Sequence, residues 1–281
     1  MEKLQIKDCQ NIELGILIKV DELCKKLGLR YYLIYGTLLG AVRHQGFIPW
    51  DDDLDIMMPR PDYKVLIDYF EAHKRDLFPF KAIYAWHDYK YSYGMTRITN
   101  MNYKLKYTQG CPFSTEDMGL FIDVYPYDGL GNDIKTAQAI SKNSLKAERW
   151  IGRSYNSYYT TTESTLKKMV QPFIYKYAHF IGEDHYQKKM MKISNSFNYD
   201  SSRFVGPLTW HESCGCFEKN FFEPYVNVNF CDRLFRAPHQ FDKLLKLGYG
   251  DYMKLPPENE RTPSHFYEAY VRSEHEKQSN D

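Results

Sequence analysis

An α+β fold, a mixed sheet flanked by helices with a mainly helical insert and C-terminal subdomain, is predicted by three observations. Short apolar runs of strand length recur between residues 31 and 130. Segments with apolar residues three and four apart alternate with them, as amphipathic helices require. From about residue 133 the chain turns lysine-rich and keeps a helical period to about 196. A chain of 281 residues holds one large domain or two modest ones. The change of character divides it into a core over 1–132 and a helical, loop-rich subdomain over 133–281.

Taken in order, Ile12, Ile16, Val20, Leu23 and Leu27 share one face of a helix, and Gly28 stands where a left-handed residue would cap it. Residues 31–35 form a buried strand that stops at Gly36-Thr37. "LLGAVRHQG" is a short helix beginning near Leu38 and closed by Gly46, after which Pro49 redirects the chain. "DLDIMM" (53–58) is a second strand, halted by Pro59. Pro61 suits the first turn of a helix whose apolar face is Tyr63, Leu66, Ile67 and Phe70. Further strands are expected at 81–86, 93–98, 103–107 and 119–130. "LKKMVQPFIYKYAHFIG" is amphipathic and basic; a helix packed on the first half is the preferred reading, and a weak membrane-surface association the alternative. Pro238 opens a helix over "PHQFDKLLKLG" that Gly248 ends, and the polar tail from about 272 frays.

Composition excludes several classes. Lys+Arg 37 against Asp+Glu 36 leaves a net charge of +1, so no long-range field favours nucleic acid. The 25 Tyr, 17 Phe and 4 Trp serve core packing before ligand contact, although a ring with a polar tip also suits sugars and bases. Six cysteines lack the spacing of a disulfide scaffold. Cys214 and Cys216, with Cys231 and His211, are spaced more tightly than the usual zinc site, so reduced structural thiols are expected. The start has no apolar signal core, and no run approaches the ~18 apolar residues of a membrane span. A cytoplasmic protein is expected, in solution or at the inner face of the membrane.

The chemistry concentrates in "YYLIYGTLLGAVRHQGFIPWDDDLDIMMP" (31–59), which places four aspartates in five positions. Strand residues two apart point to one side with Cα atoms about 6.5–7 Å apart, so Asp53 and Asp55 share a face. Two such anions repel by several kcal/mol at an effective dielectric of about 20. Either one takes a proton or a cation lies between them, and oxygen ligands suit Mg²⁺ or Mn²⁺. Asp123, set among apolar residues in "FIDV", is the natural third ligand, because an isolated aspartate there is costly to ionise. Gly36-Thr37 and the helix start behind them form an anion cradle, with Arg43 and His44 within reach of phosphate oxygens. Trp50 is placed to stack on a base or a cation, and Arg97 faces either the cleft or the surface. An acidic turn that caps a helix or binds Ca²⁺ is the alternative, although an EF-hand would need a glycine sixth and a glutamate twelfth in the loop.

Gly-Thr, then Asp-Leu-Asp sixteen residues past Thr37, then a later strand acid resembles the nucleotidyltransferase superfamily. Thr37 replaces the usual serine, and the gap is somewhat long. "YGTLLGAVRHQGFIPWDDDLDIMMPR", "GLFIDVYPYDGL" and "YGDYMKLPPENER" (249–261) resemble the LicD family, which includes bacterial phosphocholine transferases and relatives of fukutin-related proteins. The resemblance implies a nucleotidyltransferase-like catalytic core over 1–132 and transfer of a phospho-substituent, most of all phosphocholine, from a CDP-linked donor. The implied acceptor is a sugar hydroxyl of a cell-surface glycan, teichoic acid or lipopolysaccharide precursor, and CMP is released. It implies Mg²⁺ or Mn²⁺ on Asp53, Asp55 and Asp123, with Asp123 also as base. Gly36, Thr37, Arg43, His44, Trp50, Asp52, Arg97, Tyr249 and Asp251 would then line the substrate site. Two alternatives stay open: attack on the α-phosphate of a nucleoside triphosphate, and a catalytically silent sugar-nucleotide-binding subunit, against which the three acids speak.

Overall fold

A computed structural model describes residues 3–84, 94–107, 118–155, 165–209, 215–263 and 267–273. The chain is α+β and forms two compact units, the first from residues 1–91, 95–126 and 219–281, the second from 92–94 and 127–218. The division expected after 132 therefore falls a few residues earlier, and the C-terminal segment returns to the first unit. Long-range pairing is the reason: a strand near the C-terminus completes a sheet begun near residue 103.

In the first unit, α1 (Ile6–Leu27) ends where Gly28 takes a left-handed φ of 69° and donates to the Cys24 carbonyl. Its buried face is Cys9, Glu13, Ile16, Leu17, Val20 and Cys24, a stripe turned from the expected one so that Ile12 and Leu27 are only half-buried. β1 (Tyr32–Leu33) leads into α2 (Tyr35–His44), β2 (Asp55–Pro59), α3 (Arg60–Ala72) and the short α4 (Lys74–Leu77). α2 begins ahead of Leu38, which puts Gly36 and Thr37 inside its first turn. Gln45, at φ 57°, takes the left-handed cap expected of Gly46. The cause is tertiary, since the Cys231 amide donates to the Gln45 carbonyl at 2.8 Å. α3 carries Pro61 in its first turn and buries Tyr63, Leu66, Ile67 and Phe70 as its period requires.

β3 (Phe80–Tyr84), β4 (Thr96–Asn100), β5 (Tyr103–Tyr107) and β6 (Leu120–Gly129) follow; residues 85, 86 and 93 of the expected strands lie outside the described residues. The sheet order is β1-β2-β6-β4-β3, so the fully buried β6 is central. Its core joins Ile16, Leu17 and Val20 of α1 and Leu66 and Phe70 of α3 to Ile56, Ile98, Ile122 and Val124 of the strands. Each such side chain contributes roughly 1.5–3 kcal/mol of burial.

The second unit holds α5 (Ile134–Tyr155), α6 (Thr165–Ile181) and α7 (Glu183–Ser194). Asp133 caps α5, its carboxylate accepting the Thr136 amide at 2.8 Å and hydroxyl at 2.9 Å. β7 (Phe204–Pro207) pairs antiparallel with the end of β6, from Tyr127 opposite Pro207 to Gly129 opposite Val205, and also with β8 (Phe217–Glu218).

Back in the first unit, β9 (Val226–Phe230) and β10 (Arg233–Ala237) form a hairpin whose turn residues Cys231 and Asp232 have φ 50° and 60°. α8 (Phe241–Tyr249) starts after Pro238 and runs through Gly248 to stop at Gly250, φ 62°, a correction at both ends. The helical bond from the Gly250 amide to the Lys246 carbonyl carries it past Gly248. β11 (Tyr267–Val271) pairs with β5, Tyr267 opposite Tyr107. Cys9 and Cys24 are buried thiols. Cys214 and His211 of the zinc alternative, and the tail from 274, lie outside the described residues.

Candidate active site

The aspartate run is held by its backbone. Ile48 to Asp51 make a turn, with the Asp51 amide on the Ile48 carbonyl at 2.9 Å. Gln10 of α1 donates to the Asp51 carbonyl at 2.8 Å, and the Tyr267 hydroxyl of β11 donates to the Asp52 carbonyl at 2.8 Å. Main-chain atoms thus take the anchoring bonds, and the carboxylates of Asp51, Asp52 and Asp53 converge with oxygens within 4.8 Å of one another. Of the expected ligands only Asp53 belongs to this group, and Asp55 and Asp123 stand outside it.

Asp51 closes on the first turn of α2. A Cβ on Gly36 would stand 2.7 Å from Asp51 Oδ2, so only glycine admits this approach. Gly36→Ala is expected to leave stability within about 1 kcal/mol, because alanine favours the helix and Asp51 can swing away. Turnover is expected to fall about tenfold to a hundredfold, since the displaced carboxylate no longer meets its neighbours. Thermal melts and initial rates measured on one preparation check both halves.

Asp55 opens β2. Its amide donates to Thr37 Oγ1 at 2.7 Å, so the buried Thr37 hydroxyl couples the start of α2 to the acid strand. The Tyr125 hydroxyl donates to the Asp55 carboxylate, while Oδ1 has no hydrogen-bond partner among the described residues. Burial, then the charges of Asp53, Asp123 and Asp51, hold this carboxyl well above its ordinary value. Tyr35 leans edge-on to Tyr125 at 5.3 Å and sits at φ 48°, a left-handed backbone uncommon for a bulky residue and placed directly at the acids.

Asp123 lies on β6, its amide bonded to the Leu54 carbonyl at 2.8 Å, which lays β6 against the residue between Asp53 and Asp55. Register puts Arg97 of β4 opposite it, and Arg97 Nε donates to Asp123 Oδ1 at 2.9 Å with both side chains about 5% exposed or less. The guanidinium also lies 3.8 Å from the Phe121 ring centre. Arg97 is therefore a buried partner of the third acid.

Sequence reasoning missed Glu13. Fully buried on α1, it has no hydrogen-bond partner for either oxygen among the described residues. Burial first, then Asp53, Asp52, Asp51 and Asp123, hold it well above the ordinary 4.5. The signal was present: Glu13 falls four residues after Cys9 and three before Ile16, on the apolar stripe. Because Glu13 and Asp55 keep protons that the unfolded chain releases above about pH 4–4.5, their effect is to lower stability as pH rises from there towards the folded-state values. The melting temperature of metal-free protein is expected to fall as pH rises above about 5, and Glu13→Gln to raise it at neutral pH by a few degrees, about 1–3 kcal/mol. A melt series over pH without and with Mg²⁺ is the check, a bound cation flattening the slope.

The remaining residues gather at the other end of α2. Arg43 donates through Nη1 to the carbonyls of Tyr252 at 2.9 Å and Lys254 at 3.4 Å, and through Nε to His44 Nε2 at 2.9 Å. These bonds tether the loop that follows Tyr249, the last residue of α8, and carries Asp251; both residues are exposed. Burial and then the Arg43 charge lower the His44 pKa, consistent with a neutral acceptor. Trp50 meets His44 edge-on at 6.3 Å and has the Arg261 guanidinium 5.6 Å from its ring centre. The structure thus makes two groups: acids at the start of α2, and a ring and loop cluster at its end.

Residues 28–144 match the family model described as LicD/FKTN/FKRP, nucleotidyltransferase domain. The chain is 28% identical over 279 residues, 96% of this chain and 100% of the other, to the lipopolysaccharide cholinephosphotransferase LicD of Haemophilus influenzae. It is 36% identical over 101 residues, 35% of each chain, to an uncharacterized protein of Rickettsia prowazekii. Glu13, Tyr267 and the 249–261 loop fall outside the family-model match but inside the first unit.

Proposed function

Because the chain belongs to the LicD family, we propose that it is a phosphotransferase that moves phosphocholine from CDP-choline to a sugar hydroxyl of a lipopolysaccharide-type glycan or its precursor, releasing CMP. Choline and glycan come from the end-to-end likeness to the Haemophilus influenzae enzyme. The chemistry rests on one observation: a buried Asp55 oxygen without a partner, two residues along the chain from the converging carboxylates of Asp51, Asp52 and Asp53.

These residues fit a hard divalent cation. Every donor is a carboxylate oxygen, and Asp55 Oδ1 and both Glu13 oxygens are buried and unpaired among the described residues. Asp53, Asp55 and Asp123 would hold Mg²⁺ or Mn²⁺, with Glu13, Asp51 and Asp52 beside them; bound there, the ion offsets charge on the donor diphosphate. The first turn of α2 directs its amides and positive end at the donor phosphates. One Asp123 oxygen already accepts from the Arg97 guanidinium, a fixed geometry that suits a ligand better than a proton acceptor. The proton of the acceptor hydroxyl goes instead to a half-buried carboxylate beside the ligands, Asp51. Tyr249 at the end of α8 and Asp251 on the loop tethered by Arg43 line the acceptor side.

Mass analysis of products tests this reading. CMP release with a phosphocholine mass gain on the acceptor is expected. Pyrophosphate release from a free triphosphate would assign the chain to nucleotidyl transfer, and no turnover with CDP-choline, CDP-ribitol or CDP-glycerol would refute transfer. The donor that raises the melting temperature most identifies the carried group.

A further inference from the structure

The inner side of α6 is accounted for. Ala178 is fully buried in a core with Ala147 and Ile151 of α5 and Tyr186 and Met190 of α7. The outer side is reversed from the usual pattern. Met169, Val170, Phe173, Tyr177 and Phe180 are 66, 46, 72, 56 and 85% exposed. At about 100° per residue they fall within an arc of about 100° that excludes Ala178. Scattered exposed apolar residues are ordinary, whereas five on one stripe of one helix form a patch that marks an interaction surface.

Charge selects what covers it. Residues 165–181 contain no Asp or Glu, and exposed Lys168, Lys176 and His179 border the stripe on one side. A second copy packed face to face would set lysine against lysine with no acid on either helix. An anionic surface is complementary: apolar residues enter the acyl boundary and the lysines meet lipid phosphates. Trp150 of α5 lies edge-on to Tyr177 with ring centres 6.2 Å apart, an amphipathic pair suited to headgroup depth. No helix among the described residues is long and apolar enough to cross a membrane, so the contact is lateral.

We propose that the outer face of α6 docks on an anionic lipid bilayer. The test is flotation of the full chain with vesicles of phosphatidylcholine alone or with about one-quarter phosphatidylglycerol, at about 0.1 M salt, with light scattering in parallel. Binding to the phosphatidylglycerol vesicles is expected. Phe173→Ser with Phe180→Ser is expected to lower it at least about tenfold, and Lys168→Glu with Lys176→Glu to remove the preference for anionic lipid. All four side chains are exposed, so unchanged melting curves establish that both variants fold. Absence of flotation, or flotation that the phenylalanine variant leaves unchanged, overturns the proposal. A dimer that the same variant dissociates assigns the face to a second copy and overturns it too. No donor, acceptor or cation enters the assay, so its outcome is separate from the transferase reading.

Discussion

Replacing Asp53 and Asp55 together by alanine is expected to lower the proposed transfer at least about a thousandfold, with the fold intact. Without a cation these two carboxylates contribute repulsion: Asp55 is buried, one of its oxygens is unpaired, and neighbouring acids raise its pKa. Removing them relieves that repulsion while leaving a small void and an unanswered Tyr125 hydroxyl. The metal-free melting temperature at neutral pH is therefore expected to stay within a few degrees of the parent, or to rise. The rise on adding Mg²⁺ is expected to vanish, because the ligands that give the cation its preference for the folded state are gone. The two readouts separate a lost site from a lost fold. Transfer retained at more than about a tenth of the parent rate would refute the assignment of these residues.

The second large effect is on stability. Arg97→Met removes the guanidinium from Asp123 and leaves a carboxylate about 4% exposed without its counter-charge. Breaking a buried pair from one side costs about 3–5 kcal/mol, which for a chain of this size is about ten degrees of melting temperature. Methionine fills much of the volume, so the loss reports charge more than packing. Adding Asp123→Asn to the same chain is expected to restore most of it, because the orphaned charge goes with its partner. Equal losses for the single and the double variant would show that packing on Phe121 carries the effect. In the single variant Mg²⁺ is expected to recover part of the loss, since a cation beside Asp123 supplies some of the missing charge.

Much of this was legible in the chain itself. Pro61 in the first turn of α3, Gly28 at the end of α1 and the apolar period of Tyr63, Leu66, Ile67 and Phe70 are local matters, and the structure places them as that chemistry requires. The helix boundaries that moved did so for tertiary reasons: Gln45 caps α2 because the β9–β10 turn binds its carbonyl. Glu13 escaped notice because a glutamate on a helix reads as solvent-facing until the phase of the buried stripe is known. Arg97 was equally ambiguous, since a strand shows two faces and only pairing with β6 says which neighbour it meets.

By itself, the amino-acid sequence determined that this protein folds as α+β, carries a run of acids next to a Gly-Thr helix start, and places another aspartate in an apolar strand. Those features depend on residues within a few positions of one another, over which backbone geometry and side-chain period leave few options. Only the tertiary structure decided which acids meet, which cation pairs with which acid, and which side of α6 faces outward. Such outcomes rest on contacts between distant segments, as where Tyr267 holds the Asp52 carbonyl across 215 residues of chain. Local propensity has no term for a bond of that kind, because its free energy appears only once both segments are packed.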